Sequence, residues 1–99
     1  MREVLDRTSE KISQQFADKP IIEARLKLTV GWTYRGLGLY DKAGAHFADA
    51  AALYDREKGP RHPTTLKSLN ALGVALDDSG DYTAAEAQHR ATLEIRRRV

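Results

Sequence analysis

The chain has 99 residues, enough for one domain with a modest core, and a chain of this size buries about 60–70% of the surface that its unfolded form exposes. Sixteen basic and fourteen acidic side chains are mixed along it for a formal charge of +2, the pattern of a solvated helix surface and not of a nucleic-acid-binding stripe. There is no cysteine, so neither a disulfide framework nor a thiolate metal site can form, which fits a reducing, cytoplasmic compartment. No apolar run suffices to span a bilayer, and the charged start Arg2-Glu3-Val4-Leu5-Asp6-Arg7 does not suit a secretory signal.

Good helix formers dominate and strand signals are nearly missing, so an all-α fold is expected. In the first helix Leu5, Thr8, Ile12 and Phe16 recur at three- and four-residue spacing, and Ala17-Asp18-Lys19-Pro20 breaks it. The second runs from Ile21 to Leu37, with Ile22, Leu26, Val30 and Tyr34 on one face and Leu28 and Trp32 on an adjoining one. Gly38 stands where a left-handed C-terminal residue is wanted. Tyr40, Ala43, Phe47, Ala50 and Tyr54 then mark the third helix, joined to the second by a turn tight enough to force an antiparallel hairpin.

Gly59-Pro60-Arg61-His62-Pro63 is the strongest breaker, with its second proline placed to begin a helix near Pro63 or Thr64. Leu66, Leu69, Leu72, Gly73 and Leu76 are expected to carry the buried side of that fourth helix, and Gly80 ends it. Asp81 is positioned to cap a fifth helix that begins at Tyr82. The run Arg96-Arg97-Arg98 in its last turn suits the negative end of the helix dipole.

A shift of 42 residues superposes Gly31 on Gly73, Gly38 on Gly80, Tyr40 on Tyr82, Ala43 on Ala85 and Ala45 on Ala87. These are the small and turn positions where helices approach closely or the chain reverses. Residues 1–19 thus read as a capping helix and linker, 20–59 as a first repeat and 60–99 as a second, ending where a further linker is expected.

Val30-Gly31-x-x-Tyr34-x-x-x-Gly38-x-Tyr40-x-x-Ala43-x-x-x-Phe47-x-x-Ala50 and Leu72-Gly73-x-x-Leu76-x-x-x-Gly80-x-Tyr82-x-x-Ala85 resemble two tetratricopeptide repeats. The 42-residue period and the Gly59-Pro60-Arg61-His62-Pro63-x-Thr65 linker are similar to the longer repeat of kinesin light chains and their bacterial relatives. The segment from Leu5 to Pro20, followed by Tyr34-Arg35-Gly36-Leu37-Gly38-Leu39-Tyr40, resembles the repeat region of some bacterial Ser/Thr protein kinases, although no phosphate loop, catalytic loop or Asp-Phe-Gly is present. Three positions depart from the family pattern: His89 replaces Phe47, Thr92 replaces Ala50, and Lys27 occupies a site where many members carry a large apolar residue.

The resemblance implies an α-solenoid of helix hairpins whose first helices line a concave groove. The groove positions are then Arg25, Leu28, Trp32 and Arg35 in the first repeat, and Lys67, Asn70, Val74, Asp77 and Asp78 in the second. An amide that bonds an extended backbone, three cations and an indole suit an extended, acidic peptide or protein segment. The function expected is a scaffold that binds a protein or peptide, as a regulatory or docking segment of a larger bacterial signalling protein. The alternative is an assembly element, since Leu93 and Ile95 on the last helix lack a following repeat and favour homo-oligomers.

Enzymatic and metal chemistry is not expected, and neither is a cofactor. His46, His62 and His89 lie on different elements without the spacing of a helical zinc site; His46 reads as solvated and His89 as a partly buried stand-in for an aromatic residue. Asp77 and Asp78 are adjacent on a helix and point in different directions, and Gly36-x-Gly38 follows a helix and not a strand.

Overall fold

A computed structural model describes residues 2–97; Arg98, the last of the arginine run, and Val99 lie outside the described residues. Five helices follow one another: α1 (Arg2–Gln15), α2 (Pro20–Gly36), α3 (Tyr40–Lys58), α4 (Pro63–Asp78) and α5 (Tyr82–Arg97). Each packs chiefly on its chain neighbours, so α2 and α4 fall on one side and α1, α3 and α5 on the other. The Cα positions span only 14 Å along the thinnest axis, which matches two helix layers about 10 Å apart.

The two helix-ending turns inside the hairpins are copies of each other. Gly38 and Gly80 take φ of 78° and 87°, a left-handed conformation that a side chain would strain. Leu39 N–H bonds Tyr34 O at 2.9 Å and Asp81 N–H bonds Leu76 O at 3.1 Å, while Gly38 and Gly80 N–H bond Arg35 O and Asp77 O, both at 3.0 Å. Both turns are therefore Schellman motifs, and donors and acceptors alike are 42 residues apart. Asp81 Oδ1 accepts from Ala84 N–H at 3.2 Å, as the sequence leads one to expect. The longer linker works differently: Pro63 opens α4, His62 caps it by accepting from Thr64 N–H at 3.3 Å, and Thr65 donates to Gly59 O at 2.9 Å.

Tyr34, Phe47, Ala43, Ala50, Tyr54, Ala24 and Val30 form the centre of the core between α2 and α3. On α4 the expected leucines are only half-buried, and the residues sealed from solvent are Thr65, Ser68, Ala71, Gly73 and Ala75. Close approach is the reason, because an ideal Cβ on Gly44 of α3 would lie 3.7 Å from Leu72 Cδ1 and 3.8 Å from Ala75 Cβ. Small residues occupy that line and the leucines flank it. Ser68 is accommodated by donating to Thr64 O at 2.9 Å.

α1 is held partly by apolar contact through Leu5, Ile12 and Phe16 and partly by polar links to α2 and α3. Thr8, expected on its buried stripe, is exposed and bonds back to Val4 O. Asp6 accepts from the Tyr34 hydroxyl and from Lys42 Nζ, the latter at 2.7 Å. His46 is likewise not free in solvent: Nδ1–H donates to Lys42 O at 2.8 Å, which leaves Nε2 to accept from the Ser9 hydroxyl at 2.6 Å. Lys27 is buried with its ammonium 3.1 Å from Glu23 and 3.3 Å from Asp49, so two carboxylates offset the charge that burial takes from water.

Candidate peptide-binding face

The expected groove residues belong to α2 and α4, whose C-terminal ends are linked by Arg35 and Asp78. Arg25 on α2 and Lys67 on α4 are exposed equivalents, and Asn70 is exposed one turn further along α4. Trp32 is 38% exposed, packed against Phe47 with ring centroids 4.9 Å apart, so one indole face is fixed and the other edge remains open. Val74, its counterpart on α4, is half-buried. Leu28 differs from expectation. It is 9% exposed and belongs to the core, so it supports the face from beneath.

The charge balance also differs from the one the sequence suggests. Arg35 Nε bonds Asp78 Oδ2 at 2.5 Å, a link from the end of α2 to the end of α4, and the guanidinium sits 5.6 Å from the Trp32 ring centroid. The Asp78 hydrogen bond pushes the Arg35 pKa further above its ordinary high value. Asp77 is occupied as well, 3.2 Å from His89 Nε2. One of three cations and both aspartates are thereby engaged within the protein. The remaining positive charge is Arg25 and Lys67, toward the opposite end of the helices.

The Arg35–Asp78 link is the feature that reading the sequence missed, although a signal existed. Opposite charges 43 residues apart, one more than the repeat period, occur at matching ends of adjacent helices. His89 does take the place of Phe47, because its ring covers Gly73 as Phe47 covers Gly31. An ideal Cβ would come within 2.8 Å of His89 Nδ1 at Gly73 and 2.6 Å of Phe47 Cε1 at Gly31. Neither glycine could carry a side chain without moving the ring above it.

Repeated turns, repeated glycine–ring contacts and a shared helix register describe one structural unit used twice. A family model described as Tetratricopeptide repeat matches residues 23–98. The chain belongs to the tetratricopeptide repeat family. Comparison with curated proteins and comparison with solved structures each found no match. Tetratricopeptide repeats generally mediate protein–protein interaction, and the fold is typically a non-catalytic scaffold. Among the described residues no helix of this repeat protein is long and apolar enough to cross a membrane, and no group of three or more His, Asp or Glu side chains could hold a metal ion.

Proposed function

We propose that the α2/α4 face binds an extended protein segment whose acidic part lies against Arg25 and Lys67 and whose apolar part lies against Trp32 and Val74. The observation that carries this reading is the division of the face. The Arg35–Asp78 pair removes charge from one end, whereas Arg25, Lys67 and Asn70 remain exposed toward the other. Carboxylates bonded by Arg or Lys gain more than neutral groups do, and an exposed carboxamide satisfies both a donor and an acceptor of an extended backbone. The acidic preference is therefore local, set by two cations instead of three.

The Gly59-Pro60-Arg61-His62-Pro63 linker and the lead-in helix support a place within a larger bacterial signalling protein, as a docking or regulatory segment in a reducing, cytoplasmic compartment. Peptide display against the isolated chain tests the face directly. Selected ligands should be rich in Asp or Glu beside an apolar residue. Asn70→Ala should weaken their binding by about 0.5–1.5 kcal/mol for each backbone bond lost, and Lys67→Glu should weaken it more, with melting temperatures little changed. Ligands that bind both variants as they bind the parent would overturn the proposal.

A further inference from the structure

Along the flank of α5 beside α4, Tyr82, Glu86, His89 and Leu93 follow in a row, together lining a shallow pocket with Asp77 and Arg90. Tyr82 is 69% exposed and Leu93 47%. The repeat shows that this face is built to be covered, since its counterparts on α3 are Tyr40, Gly44, Phe47 and Ala51. Helix α4 is seated there at Gly44, against Leu72 and Ala75, while Phe47 is buried over Gly31 of α2 and Ala51 is buried as well.

The row on α5 is also palindromic. Read from either end it runs large apolar, polar, polar, large apolar at spacings of four, three and four, and it is centred between Ala87 and Gln88. The two inner positions are an acid and an imidazole. A second α5 laid antiparallel about that centre places Tyr82 against Leu93 of the other copy and Glu86 against His89 of the other copy. Both pairings then occur twice by symmetry. Antiparallel helix dipoles oppose each other favourably, and facing residues at these spacings mesh as in a bundle.

We infer that two copies of this chain associate through an antiparallel α5–α5 contact, with the Tyr82–Leu93 and Glu86–His89 pairs across a two-fold axis. The contact is separate from the α2/α4 face and does not depend on what binds there. In forming it Glu86 would turn from Arg90, 2.6 Å away within the same helix, and the His89 ring, 41% exposed, would swing outward from its place over Gly73 and beside Asp77. A single helix pair buries less than a standard stable interface, so the dimer should be weak and concentration-dependent.

Sedimentation velocity of the isolated chain from low micromolar to millimolar concentration should show the average mass rising from 11.1 kDa toward twice that value. Leu93→Glu should hold it at the monomer value throughout while the helical circular dichroism is unchanged. Because the chain has no cysteine, Glu86→Cys mixed with His89→Cys should yield a mixed disulfide on mild oxidation. That product should exceed either same-variant product several-fold, and Ala91→Cys mixed with itself should give little. A parent chain that stays monomeric at every concentration would overturn the inference and leave the face to a different helix. So would association that persists in Leu93→Glu, or a mixed disulfide no more abundant than the same-variant products.

Discussion

At the scale of single residues, three helical glycines that look alike in the sequence stand in different surroundings. Gly31 lies under Phe47, which is fully buried and also packed against Trp32, so the ring has little room to move. Gly31→Ala should cost about 1–3 kcal/mol through overpacking. Gly73 lies under His89, whose side chain is 41% exposed and free to swing outward. Gly73→Ala should be nearly neutral, since the better helix propensity of alanine, about 1 kcal/mol, offsets the displaced ring. Gly44 has Leu72 and Ala75 at ordinary contact distance, and Gly44→Ala should stabilise by about 0.5–1 kcal/mol. Urea midpoints of the three variants should fall in the order Gly44→Ala, Gly73→Ala, Gly31→Ala from highest to lowest. Any other order would mean that the rings do not sit as described.

Among the elements, α1 is the one whose attachment rests most on charge. Lys42 and then Tyr34, through their hydrogen bonds, hold the Asp6 carboxyl below its ordinary pKa of 3.8. A carboxylate whose pKa is lowered on folding binds fewer protons in the folded state. Its contribution to α1 docking is therefore complete above the ordinary carboxylate range and disappears as pH falls through the folded value. Tyr34 has the opposite shift: burial first, and then its bond to Asp6, push the phenol up to about 12 from 10.0. The neutral hydroxyl is the favoured form, so its contribution is complete below pH 10 and is lost as pH rises toward 12. Melting temperature should decline at both extremes, and Asp6→Asn should flatten the acid limb. An acid limb as steep in Asp6→Asn as in the parent would show that other carboxylates govern it.

For the whole molecule the question is whether two repeats unfold together. Packing of α3 on α4 is nearly as extensive as that of α2 on α3, and the Arg35–Asp78 link adds a tie on the opposite layer. Stacked repeats share stability through such interfaces, and here the interface rivals the interior of the repeat. Trp32 reports on the first repeat and helical circular dichroism on all five helices, so the two signals should melt with one midpoint. Separate midpoints would mean that α4 and α5 open independently.

Helix number, the hairpin turns, the linker and the 42-residue register were legible in the residues themselves, because glycine, proline and capping side chains act over a few positions and apolar spacing reports which side of a helix is buried. Burial on α4 was not legible. Leucines are expected inside, but the close approach of α3 at Gly44 selects Thr65, Ser68, Ala71 and Ala75, and that distance is a property of two packed helices. Nor could local pattern foresee that Leu28 is core, that His46 is bonded to Ser9, or that Arg35 is spent on Asp78. Each depends on what another element places opposite the side chain, across 37 residues for His46 and 43 for Arg35. The sequence by itself determined where this chain turns and repeats; only the tertiary structure decided which of its polar groups remain free to meet a partner, because opposing charges and hydroxyls are brought into bonding range only when the helices stack.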